Sequence, residues 1–187
     1  MIHLWNTFLG YIKISYPRIP WILLFACVLV AVFELLQRTG CLRFKVGNKC
    51  SLWSKIALSL TLSFIFVLTL FGRTPGDYSY SLIPFASYRR AVDENNVELL
   101  LEIIMNIATY IPIGFLLPCC FRYFEKPWRV LVVASIFALG IELIQGFAKI
   151  GHFEIDDVIN NILGVGLGLM FFKVMMLAEQ FGKKSAE

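Results

Sequence analysis

The sequence predicts an all-α polytopic membrane helix bundle with about five transmembrane helices, N-terminus out and C-terminus in. Three observations lead there. The chain of 187 residues is 58% hydrophobic and only 16% charged, with a mean hydropathy of +0.73, whereas soluble domains carry roughly 25% charged residues. Its apolar residues fall into blocks near the ~20 residues that a spanning helix needs. Lysine and arginine are distributed unevenly between the segments that separate those blocks. Barrel strands would alternate over about 10 residues, and the blocks do not alternate.

Each block is marked out by charge. The first runs from Arg18 to Arg38 and is broken by Glu34. Its helix is expected to start at Trp21, after an interfacial segment over residues 1–20 that lacks a signal-peptide cleavage pattern. The second block lies between Lys55 and Arg73 and the third between Glu102 and Arg122. The fourth, Arg129 to Lys149, contains Glu142, and the fifth, after Asp157, contains Lys173. The expected organisation is a bundle over residues 21–180 and a tail over 181–187. One side of the bundle receives Arg38, Arg43, Lys45, Lys49 and Lys55, then Arg122, Lys126 and Arg129, then Lys183 and Lys184. The other receives Lys13, Arg18, Arg73, Arg89, Arg90 and Lys149. The richer side is expected to be cytoplasmic. Cys41 and Cys50 then face a reducing compartment as free thiols, while Cys27, Cys119 and Cys120 pack as small hydrophobes.

Charged side chains cost about 2.5–3.5 kcal/mol each at a helix centre on insertion scales, and those that persist have partners or line water. Here they recur on helical faces. Glu102, Asn106 and Thr109 form one stripe on the third span. Ser135, Ala138, Glu142 and Gln145 form one on the fourth, and Asp157, Asn161, Gly164 and Gly168 one on the fifth. At ~1.5 Å per residue, all three stripes reach the same level, about 10 Å below the outer surface. The sequence therefore predicts one polar site near the outer leaflet. Gly164 and Gly168 form a small-xxx-small pair for close helix approach, and Gly140 is expected to act likewise. Pro112 and Pro118 leave the carbonyls of Ala108 and Gly114 without their helical donors and are expected to kink the third span. The long loop from Gly72 to Glu98 holds an apolar knot, "SLIPF", that can fold back onto the outer rim. Arg73, Arg89 and Arg90 would then meet phosphate or carboxylate groups, or else anchor to headgroups.

Two roles are open for Glu142 and Gln145: ligand binding or catalysis, and an interhelical hydrogen bond. Asp157 and Asn161 can bind a ligand or cap the fifth helix. Asp156 and Asn160 lie on a different face and are expected to meet solvent or cap. His152 has no second histidine beside it, so no metal is expected, and no cofactor. No nucleophile motif, P-loop or basic patch with interleaved aromatics occurs, which leaves nucleic acid out and leans against an enzyme.

In order, "SLIPF", "NIATYIPIGFLLP", "IELIQ" and "EIDDVINNILGVGLG" resemble the VanZ-like family of small bacterial membrane proteins over about residues 81–168. The resemblance places the family's motif positions on Pro84, Phe85, Asn106, Pro112, Gly114, Glu142, Gln145, Asp157, Asn161, Gly164 and Gly168. Gly151 stands where the family has arginine, and Glu154 where it has aspartate. The resemblance implies a bacterial cytoplasmic-membrane protein and an association with lowered sensitivity to teicoplanin-type lipoglycopeptides. Expected partners are membrane lipids and either a lipoglycopeptide or a lipid-linked wall precursor. An intramembrane enzyme using Glu142 and Asp157 as acid and base on a polyprenyl phosphate is the alternative. A small transporter is a third, with only Glu34 and Gln37 polar near the inner side.

Overall fold

A computed structural model describes residues 16–38, 52–71 and 79–184. Arg73, Cys41, Cys50 and most of the expected interfacial segment lie outside the described residues. A single 3-10 turn over Tyr16–Arg18 leads into α1 (Ile19–Arg38), and α2 spans Leu52–Leu70. A two-residue strand β1 (Tyr80–Ser81) and the short helix α3 (Ala86–Asp93) follow. Then come α4 (Val97–Cys120), a 3-10 turn (Arg122–Glu125), α5 (Pro127–Ala148), β2 (Phe153–Glu154) and α6 (Ile155–Lys184). Five of these helices, α1, α2, α4, α5 and α6, are long and apolar enough to cross a membrane.

The helix boundaries follow local chemistry. The Asn96 side chain accepts from Leu99 N at 3.0 Å and caps α4, which therefore starts well before Glu102. Pro127 opens α5, where its missing N–H costs nothing. α1 begins at Ile19 rather than Trp21. Lys55, expected at a loop edge, sits inside α2, is 7% exposed, and donates to Glu34 of α1 at 2.7 Å. That pairing lets two charges enter the helical region together. α4 continues as helix through Pro112 and Pro118.

α4 and α6 make the most extensive packing in the bundle, and three glycines account for it. A Cβ on Gly164 would lie 2.1 Å from Ile107 O, one on Gly168 2.0 Å from Ile111 O, and one on Gly114 2.1 Å from Val165 O. Backbone thus meets backbone from both sides. Gly140 behaves otherwise: a Cβ there meets nothing within 4 Å, so the close approach expected of it is corrected to an open helix face. The core between the spans is apolar, with Leu58, Ile65, Ile113, Val130, Ala138 and Val165 buried at its centre. Much of the outward surface is also apolar, including Leu24, Val28, Ile136, Phe171 and Val174. Outward hydrocarbon around a packed core is what a lipid solvent demands of a multi-pass protein.

Candidate functional site

Asp156 sits in the first turn of α6, and it organises the rim. It is 1% exposed, and its carboxylate accepts from Phe85 N at 2.6 Å and Ser87 N at 2.8 Å. Those are donors at the start of α3, which has no side-chain cap of its own. A cap supplied from 71 residues away thus fixes α3 on α6 and holds Phe85 in a left-handed conformation at φ 63°. Glu154 adds to the clamp, accepting from Ser87 Oγ at 2.8 Å and pairing with Arg90 at 3.2 Å. Tyr88 donates its hydroxyl to Asn160 Oδ1. Partial burial, and then the charges of Asp156 and Asp157, push the Tyr88 phenol above its ordinary pKa, so it remains a donor at neutral pH. Parallel pairing of β1 with β2, and Ser79 Oγ 2.9 Å from His152 Nδ1, tie down the loop's leading end. The "SLIPF" segment is therefore pinned to the rim by its backbone, while Leu82, Ile83 and Phe85 point their side chains outward.

The sequence leaves Asp156 and Asn160 either meeting solvent or capping. Both are buried, at 1% and 0% exposure, which rules out solvent, and Asp156 does cap a helix, α3. The signal available was the doubling in "DDVINN": two acid-to-asparagine pairs offset by one residue occupy two faces, and both faces meet protein.

Beneath the rim lies a cavity of about 720 Å³. α4 contributes Glu102, Asn106, Thr109 and Tyr110; α5 contributes Glu142 and Gln145; α6 contributes Asp157 and Asn161. Arg18, Thr69, Arg90, His152 and Glu154 border it as well. Asn106 Nδ2 donates to Asp157 Oδ1 at 2.6 Å, joining α4 to α6. Gln145 Nε2 donates to Thr69 O at 2.9 Å, joining α5 to α2. Glu142, Gln145 and Asn161 are 4–5% exposed. The Tyr110 hydroxyl is buried and has no hydrogen-bond partner among the described residues, in a side chain only 3% exposed. The wall therefore mixes amide donors and acceptors, carboxylates and two guanidinium groups. Such a set can both donate and accept hydrogen bonds and can meet charge of either sign. Among the described residues, no cluster of His, Cys, Asp and Glu is arranged to hold a metal ion.

Of the polar residues singled out from sequence, Glu102, Asn106, Thr109, Glu142, Gln145, Asp157, Asn161, Arg90 and Glu154 thus line one cavity. Arg89 is exposed and turned to Pro84 O at 3.5 Å, away from the cavity. Pro84 and Phe85 shape the rim, Pro112 faces α2, and Gly114, Gly164 and Gly168 set the α4–α6 spacing. Sequence reasoning missed Tyr110, Thr69 and Arg18. Thr69 takes part through its backbone carbonyl, which no sequence pattern marks.

Comparison with known proteins adds one result. The family model described as VanZ/LLP1 matches residues 52–176, about two thirds of the chain. Searches of curated proteins and of solved structures returned no match. The matched span takes in α2, the rim, α4, α5 and most of α6, so it contains nearly the whole cavity wall. Five span-length apolar helices and this match together make the chain a multi-pass membrane protein, consistent with a bacterial cytoplasmic membrane, that belongs to the VanZ/LLP1 family.

Proposed function

We propose that this protein binds the headgroup of an amphiphile in its polar cavity, at the level of the outer leaflet, without catalysing a reaction on it. The ligand is a lipoglycopeptide or a lipid-linked wall precursor, and binding lowers sensitivity to teicoplanin-type lipoglycopeptides. The observation that carries this reading is the meeting of Asn106, Glu142, Gln145, Asp157 and Asn161, from three spans, around one cavity of about 720 Å³. Intramembrane polar groups are functional candidates by default, and ligand sites combine an apolar frame with a few placed polar groups. Orientation follows the lysine and arginine bias, with the N-terminus out, the C-terminus in, and residues 181–187 as a cytoplasmic tail. The spans occupy about residues 21–180. In that orientation Arg18, α3 and the start of α6 all sit at the external surface.

The test is expression in a sensitive strain beside Glu142→Ala and Asp157→Ala, with membrane abundance measured for each. Loss of protection at equal abundance is the expected outcome. If both variants protect as well as the parent, the cavity has no part in the activity.

A further inference from the structure

The charges on the cavity wall do not balance. Four carboxylates line it, Glu102, Glu142, Glu154 and Asp157, against the guanidinium groups of Arg18 and Arg90. Arg90 is already paired with Glu154 at 3.2 Å. Asp157 has the neutral amide of Asn106 as its hydrogen-bond partner, and among the described residues no cation pairs with it. A second observation lies one turn deeper on α6. Asn161 is 5% exposed and lines the cavity, yet among the described residues its amide makes no hydrogen bond. A buried amide left unpaired bears its desolvation penalty uncompensated, so the site lacks a partner that the protein itself does not supply. Register shows what stands beside it. α4 and α6 run in the same direction: Asn106 meets Asp157, and about two turns further along both helices Gly114 packs on Val165. Midway between those contacts Tyr110 stands level with Asn161. Its hydroxyl is likewise buried and without a partner among the described residues.

We propose that the headgroup bound in the cavity carries a primary ammonium, held by the Asp157 carboxylate with the Asn161 amide oxygen and the Tyr110 hydroxyl oxygen as its neutral acceptors. The inference rests on the cavity being a headgroup site, and it names the chemistry that the site selects. An ammonium has three donor hydrogens, no acceptor and a positive charge, which matches three acceptors of which one is an anion. A head of hydroxyl groups alone would satisfy the amide and the phenol but leave the carboxylate charge unmet. A phosphate at this level would meet like charge. The same ammonium is available from phosphatidylethanolamine of the surrounding bilayer or from an amino side chain on a polyprenyl-linked wall precursor.

The experiment titrates the purified full chain in detergent micelles and counts bound lipid by native mass spectrometry. One arm uses phosphatidylethanolamine, the other a polyprenyl-diphosphate-linked muropeptide with a free lysine amine. Each lipid is paired with its N-acetylated form, which keeps the chain and most of the head but loses the charge. The expected result is saturable binding that N-acetylation weakens by about 10–100-fold, the weight of hydrogen bonds to a charged group. The arm that responds names the source of the amine. Asp157→Asn retains an acceptor for Asn106 and should bind the free amine no better than the acetylated form. Asn161→Ala removes an amide that holds nothing in the protein, so it should reach parental abundance while binding the amine on the order of tenfold more weakly. It carries the test should Asp157→Asn fail to fold. Equal binding of free and acetylated lipids overturns the ammonium, as does the absence of saturable binding in both arms. Discrimination undiminished in Asp157→Asn, or in Asn161→Ala where Asp157→Asn does not fold, overturns it too. If any of these coincides with lost protection in Glu142→Ala at equal abundance, the ammonium is overturned and the cavity reading stands.

Discussion

Gly164→Ala tests the packing that brings the cavity residues together. The added Cβ would lie 2.1 Å from Ile107 O, 3.0 Å from Ile107 C and 3.1 Å from Tyr110 Cβ. Carbon and carbonyl oxygen ordinarily approach to about 3.3–3.6 Å, so α4 and α6 must separate by roughly 1.2 Å or more. The nearest atoms are backbone, which cannot rotate aside as a side chain can. The cost should fall at the upper end of the overpacking range, about 2–3 kcal/mol. At roughly 2–4 °C per kcal/mol for a chain of this size, the melting temperature in detergent should drop by about 5–10 °C. The same separation would lengthen the Asn106–Asp157 bond from 2.6 Å to beyond hydrogen-bonding distance.

That second consequence can be measured independently. A double-mutant cycle of Asn106→Ala with Asp157→Ala should show coupling of about 0.6–1.7 kcal/mol in the parent and none in Gly164→Ala. Gly140→Ala and Gly166→Ala are the controls, since a Cβ at either meets nothing within 4 Å. Both should be neutral or raise stability by up to about 1 kcal/mol, the intrinsic preference of helices for alanine over glycine. The reasoning fails if Gly164→Ala melts within about 1 °C of the parent, or if Gly166→Ala is equally damaging.

Three further outcomes follow from the rim and from the α2 contact. Asp156→Ala removes both acceptors for Phe85 N and Ser87 N, at about 1–3 kcal/mol for each donor left buried; hydrogen exchange over residues 85–93 should accelerate. Tyr88→Phe deprives buried Asn160 of its donor and should cost about 1 kcal/mol. Because the folded state raises the Tyr88 pKa, its contribution is complete below the ordinary phenol value of about 10 and is lost as pH rises through the folded value. Thermal melts from neutral to alkaline pH should lose that component in Tyr88→Phe. Gln145→Leu removes the donor to Thr69 O and should cost about 0.6–1.7 kcal/mol, the range for interhelical bonds in membranes, measured by thermal unfolding.

The spans and stripes were legible because both are periodic. A 3.6-residue repeat states which side chains share a face, and a common depth states which faces meet. What repetition cannot state is what covers a face. Asp156 and Asp157 differ by one position, about 100° of rotation, and only the docking of α3 separates their roles. Gly140 and Gly164 are the same residue in similar helices, yet one faces open space and the other Ile107 O. Lys55 read as a loop charge because its partner Glu34 lies 21 residues earlier, on the far side of a connection. In each case the missing information was a long-range neighbour.

The adjacency of Asp156 and Asp157 also decides how a mutational test of function must be built. One carboxylate caps α3 and the other holds Asn106, and both sit in the first turn of α6. Replacing either with alanine removes structure together with charge, so lost protection alone would not reveal a binding role. Asparagine separates the two. Asp157→Asn retains a carbonyl oxygen for the Asn106 amide and discards the charge, so its stability should stay within about 0.5 kcal/mol of the parent. Asp156→Asn leaves one acceptor oxygen for two backbone donors, and its stability should fall by about 1–3 kcal/mol. If the cavity reads its ligand partly through charge, Asp157→Asn loses protection at parental abundance, while Asp156→Asn loses it only in proportion to abundance. Equal protection per molecule in all three proteins would mean that the charge facing the cavity does not touch the ligand.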